Sequence, residues 1–292
     1  MTTKSRVVRR KKADPEGDSP VVVYGQDDTP VIDLLLSAKR KRDKFRRGEY
    51  LHVSDVVGKC VRKIALSEAH GMPMPTEPIT HSMAMTFAQG SALHDYVKSA
   101  LVRHPDMPLW GSWTCKCGAS LEERRSHAEV ADLHCEDCGG PLDQYVEIDI
   151  KDTELLVSGS PDVILKEPTK SCYHILEIKS MSHEEWKGLV RAKPDHIVQV
   201  VMYWYLMRRA GFRTTSTVSV LYVTKGFVFK GQPFKEFVID CDTALRHIDD
   251  YIEDAKAFAR FRETGELPVR TKCATINCPE AKKCHVAMEC FS

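Results

Sequence analysis

The sequence predicts an α/β protein in which helices flank a mixed central sheet. Two observations carry that expectation. From residue 144 onward, short β-rich runs ("QYVEIDIK", "ELLVSGSPDVILK", "CYHILEIKS", then "TVSVLYVTKG" and "KEFVIDCD") are separated by turn signals such as "KEPTKS" and by helical stretches. Helical patterns also precede and follow them, so the order is helices, three strands, helices, two strands, helix, as in a layered α/β architecture. The chain has 292 residues, 42% of them hydrophobic and 28% charged, which is enough apolar material for one fairly large core.

Element by element, residues 1–29 are polar, charged and punctuated by Pro and Gly ("ADPEGDSP", "GQDDTP"), the composition of a disordered arm. Residues 30–109 form a helical part, with a helix over "VIDLLLSAKRKRDKFRR" and further helices at 54–70 and 83–103. Residues 110–143 differ in composition from both flanks and look like an insertion. The core runs over 144–263, with helices at 182–192 and 195–210 broken by "AKPD", and a long helix at 242–263. A cysteine-rich segment, 264–292, follows.

Net charge is +1, so affinity for nucleic acid would have to come from local patches. Residues 1–50 supply one, with 13 Lys/Arg against 8 Asp/Glu. The opening lacks the apolar region of a signal peptide, and the stretch around "VVMYWYLM" is too short to span a bilayer. The expectation is a cytoplasmic protein with no membrane partner. Eleven cysteines in a reducing compartment point to metal ligation more than to disulfides.

The chemistry concentrates in "GSPDVILKEPTKSCYHILEIKS". Asp162 ends a loop entering a strand, while Glu177 and Lys179 stand two apart on the next strand and so share a face. Two carboxylates brought together by adjacent strands repel, and a hard divalent cation resolves the repulsion. A lysine beside that cation orients water or stabilises charge on a phosphate. The plainer alternative is a Glu–Lys ion pair on a solvated sheet face, with Asp162 a turn residue. Two further features weigh on the choice. Gln199 and Tyr203 lie four apart on one face of the following helix. Upstream, Phe87, Gly90, His94, Val97 and Leu101 keep helical spacing and put His94 on an apolar face, as a core histidine or a metal ligand.

Taken in order, "GxxxH" at 90–94, Asp162, "EIK" at 177–179 and "QxxxY" at 199–203 resemble the motifs of RecB-like nucleases of the PD-(D/E)XK superfamily. The resemblance covers roughly residues 50–290 without the insertion. It implies a restriction-endonuclease-like core and a Mg²⁺ or Mn²⁺ site built from His94, Asp162, Glu177 and the backbone carbonyl of Ile178. Lys179 would be the catalytic lysine, with Gln199 and Tyr203 at the substrate edge. No G-x-x-x-x-G-K-[ST] phosphate loop is present, so a stand-alone nuclease or one that borrows a helicase is expected.

In the insertion, "WTCKCGASL" and "HCEDCGGPL" give Cys115, Cys117, Cys135 and Cys138 in a CxC–CxxC pattern with knuckle glycines, which suits a Zn²⁺ ribbon; His127 and His134 are alternative ligands. The tail thiols Cys273, Cys278, Cys284 and Cys290 lack such glycines. Three readings stand for them: a zinc site closed within the tail, free thiols, or a shared site with Cys60. The third follows from resemblance to iron–sulfur members of the same superfamily, such as the AddB nuclease domain and the CRISPR-associated RecB-like exonucleases. It implies a [4Fe–4S] cluster on Cys60, Cys273, Cys278 and Cys284, with Cys290 as a substitute.

The basic run Lys39, Arg40, Lys41, Arg42, Lys44, Arg46 and Arg47 is either a solvated helix end or a phosphate-tracking surface, and Phe45 and Trp186 either stack on bases or pack. Together these readings predict a metal-dependent DNA nuclease. Its expected action is exonucleolytic, on ends or single strands during recombination, repair or replication, in a bacterial or phage-infected cell. A recombination partner is compatible with this. The competing expectation is a non-catalytic or weakly catalytic DNA-binding module of a recombination or CRISPR-adaptation complex.

Overall fold

The computed structural model describes residues 48–72, 80–102, 109–121, 125–167 and 171–292. The arm and the basic run Lys39–Arg47, with Phe45, lie outside these residues.

The described chain begins with strand β1 (Leu51–His52), helices α1 (Val53–Gly58) and α2 (Val61–Ala69), and the long helix α3 (His81–Val102). The insertion contributes β2 (Trp110–Thr114), β3 (Arg125–Ser126), the one-turn α4 (His127–Val130) and β4 (Gln144–Val146). Next come β5 (Ile150–Asp152), β6 (Val157–Gly159), β7 (Val163–Glu167), β8 (Cys172–Met181), α5 (His183–Gly188) and α6 (Pro194–Arg209). Strands β9 (Thr217–Thr224) and β10 (Phe234–Asp240), and helices α7 (Cys241–Ala244), α8 (Asp249–Thr264), α9 (Pro279–Lys282) and α10 (Ala287–Phe291), complete the order.

The central sheet runs β10-β9-β8-β7, and it is mixed: β8 and β9 are parallel, while β7/β8 and β9/β10 are antiparallel. The α/β architecture expected from the sequence, a mixed sheet flanked by helices, is the one observed. Its two faces are covered differently. On one, α6 buries Val198, Val200, Val201, Met202, Tyr203, Trp204, Leu206 and Met207, each such burial contributing roughly 1.5–3 kcal/mol. On the other, Leu176 and Ile178 pack with Val97 of α3, with Leu109, and with Trp113 and Val130 of the insertion.

Several expected elements are interrupted. The run "ELLVSGSPDVILK" breaks after Gly159, so β6 joins a three-stranded sheet, β1-β6-β5, while β7 joins the central one. Gly159 stands where a Cβ would come within 2.5 Å of the Tyr203 ring, so only glycine lets the strand pass α6. The run "QYVEIDIK" divides likewise: β4 pairs with β2, carrying the small sheet to Val146, past the boundary expected at 143. The helix expected at 54–70 breaks at the extended Lys59, which leaves Cys60 as the N-cap of α2. The helix at 242–263 is α7, a 3₁₀ turn (Leu245–His247) and α8, and α5 ends at Gly188 rather than 192. Among the described residues no helix is long and apolar enough to cross a membrane.

Candidate active site and thiol sites

The β7/β8 pairing and α3 bring Asp162, Glu177, Lys179 and His94 together. Asp162 precedes β7 at the break that separates the two sheets, so its side chain is free to reach sideways. Its Oδ2 accepts the Ile178 N–H at 2.7 Å, and its Oδ1 lies 3.4 Å from His94 Nδ1. Glu177 and Lys179 share the face of β8 that looks toward α6, as the two-residue period requires. Their side chains meet at 2.7 Å between Oε1 and Nζ.

Glu177 is 3% exposed, and its second oxygen, Oε2, is buried without a hydrogen-bond partner. Burial, then the charge of Asp162, pushes its carboxyl up to about 7, against the pull of Lys179 and His94. The lysine is held from the other side by an oriented chain: Lys179 Nζ donates to Gln199 Oε1 at 2.9 Å, and Gln199 Nε2 donates to Tyr203 Oη at 2.9 Å. Burial, followed by the charge of Glu177, pushes the Tyr203 phenol upward, so it stays neutral as an acceptor.

This geometry changes the role expected for Tyr203. It is 1% exposed, beneath the site rather than at its edge, while Gln199 is half-buried above it. Trp186 is likewise no surface for bases. It is buried, and the Lys235 ammonium sits 4.6 Å above its ring while donating to the carbonyls of Trp186, Lys187 and Leu189.

Two residues escaped the sequence reading. His196 lies on α6 one turn before Gln199, with Nδ1 2.8 Å from the Tyr222 hydroxyl. Burial and the charges of Lys179 and Lys193 push it down to about 4, so it is neutral at physiological pH. Its place three residues before Gln199 was the available signal. Glu147, just past β4, is half-buried, bonds Lys98 at 3.1 Å, and is pushed upward by burial and by Asp162. Nothing in its local sequence marks it, because the insertion sets its position.

The four cysteines of the insertion converge. Their sulfur atoms lie within 4.8 Å of one another, with Cys115–Cys138 at 3.4 Å and Cys117–Cys135 at 3.5 Å. Tetrahedral zinc sets ligand sulfurs about 3.8 Å apart, so the donor set fits one ion. The knuckles are built as the glycines suggested: Gly118 and Gly139 take positive φ, and a Cβ on Gly140 would touch the Cys115 and Cys138 sulfurs at 3.3 Å. His134 bonds the Asp132 carbonyl instead.

The tail is arranged differently. Among the described residues its thiols form no such tight quartet. Instead Cys60, Cys273, Cys284 and Cys290 line a cavity of about 370 Å³ whose wall also carries four basic residues, Lys59, Lys63, Arg270 and Lys272, and the acidic Glu280. Cys278 caps α9, its sulfur accepting the Ala281 N–H at 3.4 Å. Cys290 accepts from Arg62 Nε at 3.3 Å. Cys172 and Cys241 are buried in the core.

No protein-family model matches this sequence, and no curated protein is similar to it. Solved structures with a similar chain path include two that illustrate the likeness. One is the alkaline exonuclease LHK-Exo from Laribacter hongkongensis, with a TM-score of 0.40 and 14% identity over 80% of this chain and 97% of that one. The other is SSO0001, with a TM-score of 0.33 and 14% identity over 76% and 85% of the two chains.

Proposed function

We propose that this protein is a metal-dependent DNA nuclease of PD-(D/E)XK type, acting as an exonuclease on DNA ends or single strands in recombination or repair. The observation that carries the reading is Glu177 Oε2. A buried carboxylate oxygen with no partner, facing a second carboxylate, costs several kcal/mol unless a cation neutralises it. His94, Asp162 and Glu177 would hold Mg²⁺ or Mn²⁺, with Ile178 contributing its carbonyl. The ion, when bound, supplies Lewis acidity toward a phosphodiester and its attacking water.

The chain's own residues do the rest. Lys179, fixed between Glu177 and Gln199, presents a cation to the reacting phosphate and stabilises charge that grows on it. Tyr203 fixes the amide of Gln199 with its oxygen toward the lysine. A solvated-face ion pair does not describe Glu177, which is buried.

The insertion reads as a structural Zn²⁺ ribbon on Cys115, Cys117, Cys135 and Cys138. The tail cavity reads as a [4Fe–4S] site. A cubane separates its thiolates farther than a single ion does, and four lining cations against the one carboxylate of Glu280 offset its negative charge. Cys60, Cys273 and Cys284 would be ligands, and Cys290, which lines the cavity, competes with Cys278 for the fourth place. A helicase or recombination protein would supply unwound DNA.

End-labelled DNA incubated with Mg²⁺ or with EDTA tests the catalytic reading. Wild type should digest it only with Mg²⁺, and Asp162→Ala and Lys179→Ala should bind DNA while losing at least about 100-fold in rate. Digestion by either purified variant at the wild-type rate overturns the assignment. Binding without digestion by wild type leaves a DNA-binding assembly module.

A further inference from the structure

The hairpin loop between β9 and β10 reads "KGFVFKG", with aromatic and basic residues interleaved. Val228 turns inward against the core, which leaves Phe227 and Phe229 each 82% exposed. The loop is anchored, since Lys225 N–H donates to Met181 O at 2.8 Å and Thr224 N–H to Pro233 O at 3.1 Å.

It is also tied to the half of α3 that leads toward His94. Gln89 Nε2 donates to Lys225 O at 2.9 Å, and Lys225 Nζ donates to Thr86 O at 3.1 Å. Between these bonds and His94, Gly90 lets α3 cross the end of β8, where a Cβ would come within 3.0 Å of Ser180 Oγ. Ser180 follows Lys179 directly. The exposed ring of Phe87, 50% open, therefore stands on the same end of the sheet as the two loop phenylalanines. No Asp or Glu occurs in residues 81–94 or 225–235, so Lys225 and Lys230 face no local counter-charge in sequence.

We propose that Phe87, Phe227 and Phe229, with Lys225 and Lys230, form a stacking platform for single-stranded nucleic acid at the mouth of the carboxylate site. Exposed aromatic rings cost free energy in water and gain it against bases, which stack on them without regard to sequence. Lysines between the rings take the phosphates that run between the bases. An interleaved pattern matches a single strand, whose bases are splayed, and not a duplex, whose bases are already stacked. The proposal rests on the nuclease reading for its choice of substrate, and it makes the site one that engages an unpaired strand.

The test uses the full-length chain carrying Asp162→Asn, so that DNA stays intact. Fluorescence anisotropy would read its affinity for labelled oligo(dT) and for a blunt duplex of equal length, at one fixed salt concentration. Phe227→Ala/Phe229→Ala should melt like its parent and bind oligo(dT) about tenfold or more weakly, while duplex affinity stays within about twofold. Phe227→Trp/Phe229→Trp should restore single-strand binding. Unchanged oligo(dT) affinity in the alanine variant overturns the platform and leaves the rings to a protein partner, and equal loss for duplex overturns the single-strand preference. The two readings fail separately. A wild type that cuts nothing, with loss of binding in the alanine variant, removes the nuclease and keeps the platform. A wild type that cuts, with an alanine variant that binds and cuts single strands normally, does the reverse.

Discussion

Glu177 carries a cost that metal-free protein cannot escape. Its folded-state carboxyl is pushed up to about 7, against about 4.3 in an unfolded chain. A raised carboxyl contributes stability that is fully present below the unfolded value and is lost as pH rises through the folded one. Between those pH values about 4 kcal/mol should disappear, because each tenfold difference in proton affinity between the folded and unfolded chain is worth about 1.4 kcal/mol. Glu177→Gln removes the titration. In EDTA it should melt above wild type at pH 8, and the gap should close as the pH falls toward 4; differential scanning calorimetry reads both. Gln199→Leu probes the neighbouring lysine. Losing its oriented acceptor should cut kcat about 10–100-fold with KM little changed, since Lys179 keeps Glu177 but loses its second restraint. These residues were legible because fixed periods place them: two along a strand for Glu177 and Lys179, four along a helix for Gln199 and Tyr203. Depth was not legible. The same spacing that aligned Tyr203 with Gln199 could not say that it lay a layer beneath. Nor could "HEEWKG" reveal that Lys235, nearly fifty residues later, covers Trp186.

At the scale of elements, the site depends on how closely β6 and α6 approach. Gly159 faces the Tyr203 ring and Val53 at distances no Cβ tolerates, 2.5 and 2.8 Å. Gly159→Ala should therefore destabilise the fold by about 1–3 kcal/mol. It should also lower kcat, because the displaced ring drags the Gln199–Lys179 chain with it; urea unfolding and DNA digestion would measure the two effects. A loss of stability with full activity would show that Tyr203 only packs. The element types were readable, since the β-rich runs and the 3.6-residue patterns are long. The strand breaks were not, because they answer to distant partners. The run 154–166 looks continuous until α6 forces glycine at 159, and the β4 segment looks like core strand until its pairing with β2 claims it for the insertion. That pairing has a functional side. The small sheet, beside which Cys115, Cys117, Cys135 and Cys138 converge, ends one residue before Glu147, whose carboxylate feels Asp162. The insertion thereby shapes the electrostatics of a site to which it contributes no motif.

At the scale of the whole molecule, the two ends of the described chain meet. Arg62 on α2 donates to the Pro268 carbonyl at 2.6 Å and to Cys290 Sγ, Ser67 Oγ lies 2.9 Å from His285 Nε2, and Arg262 pairs with Glu68 at 2.6 Å. Cys60, N-cap of α2, lies across the same seam from Cys273, Cys284 and Cys290. Burial pushes the Cys60 thiol up, against the partial pull of the Lys63 and Arg62 backbone N–H groups and helped by the neighbouring Cys290 and Cys284, so a bound cation would have to offset that burial for the thiolate to form. A cluster here would close a loop of more than two hundred residues, and closure of long loops removes the most entropy from the unfolded chain. Iron content therefore separates the readings of the tail. Anaerobically purified wild type should hold about four iron atoms and one zinc per chain. Cys60→Ala should lose the iron, keep the zinc and melt at least several degrees lower. Between the two candidates for the fourth ligand, Cys290→Ala should lose iron and Cys278→Ala should keep it, because Cys290 lines the cavity, whereas Cys278 caps α9 beside Cys273. Iron lost from Cys278→Ala and kept by Cys290→Ala reverses that assignment. Full metal content in Cys60→Ala would instead close the site within the tail, leaving the seam to its hydrogen bonds, its apolar packing and the Arg262–Glu68 pair.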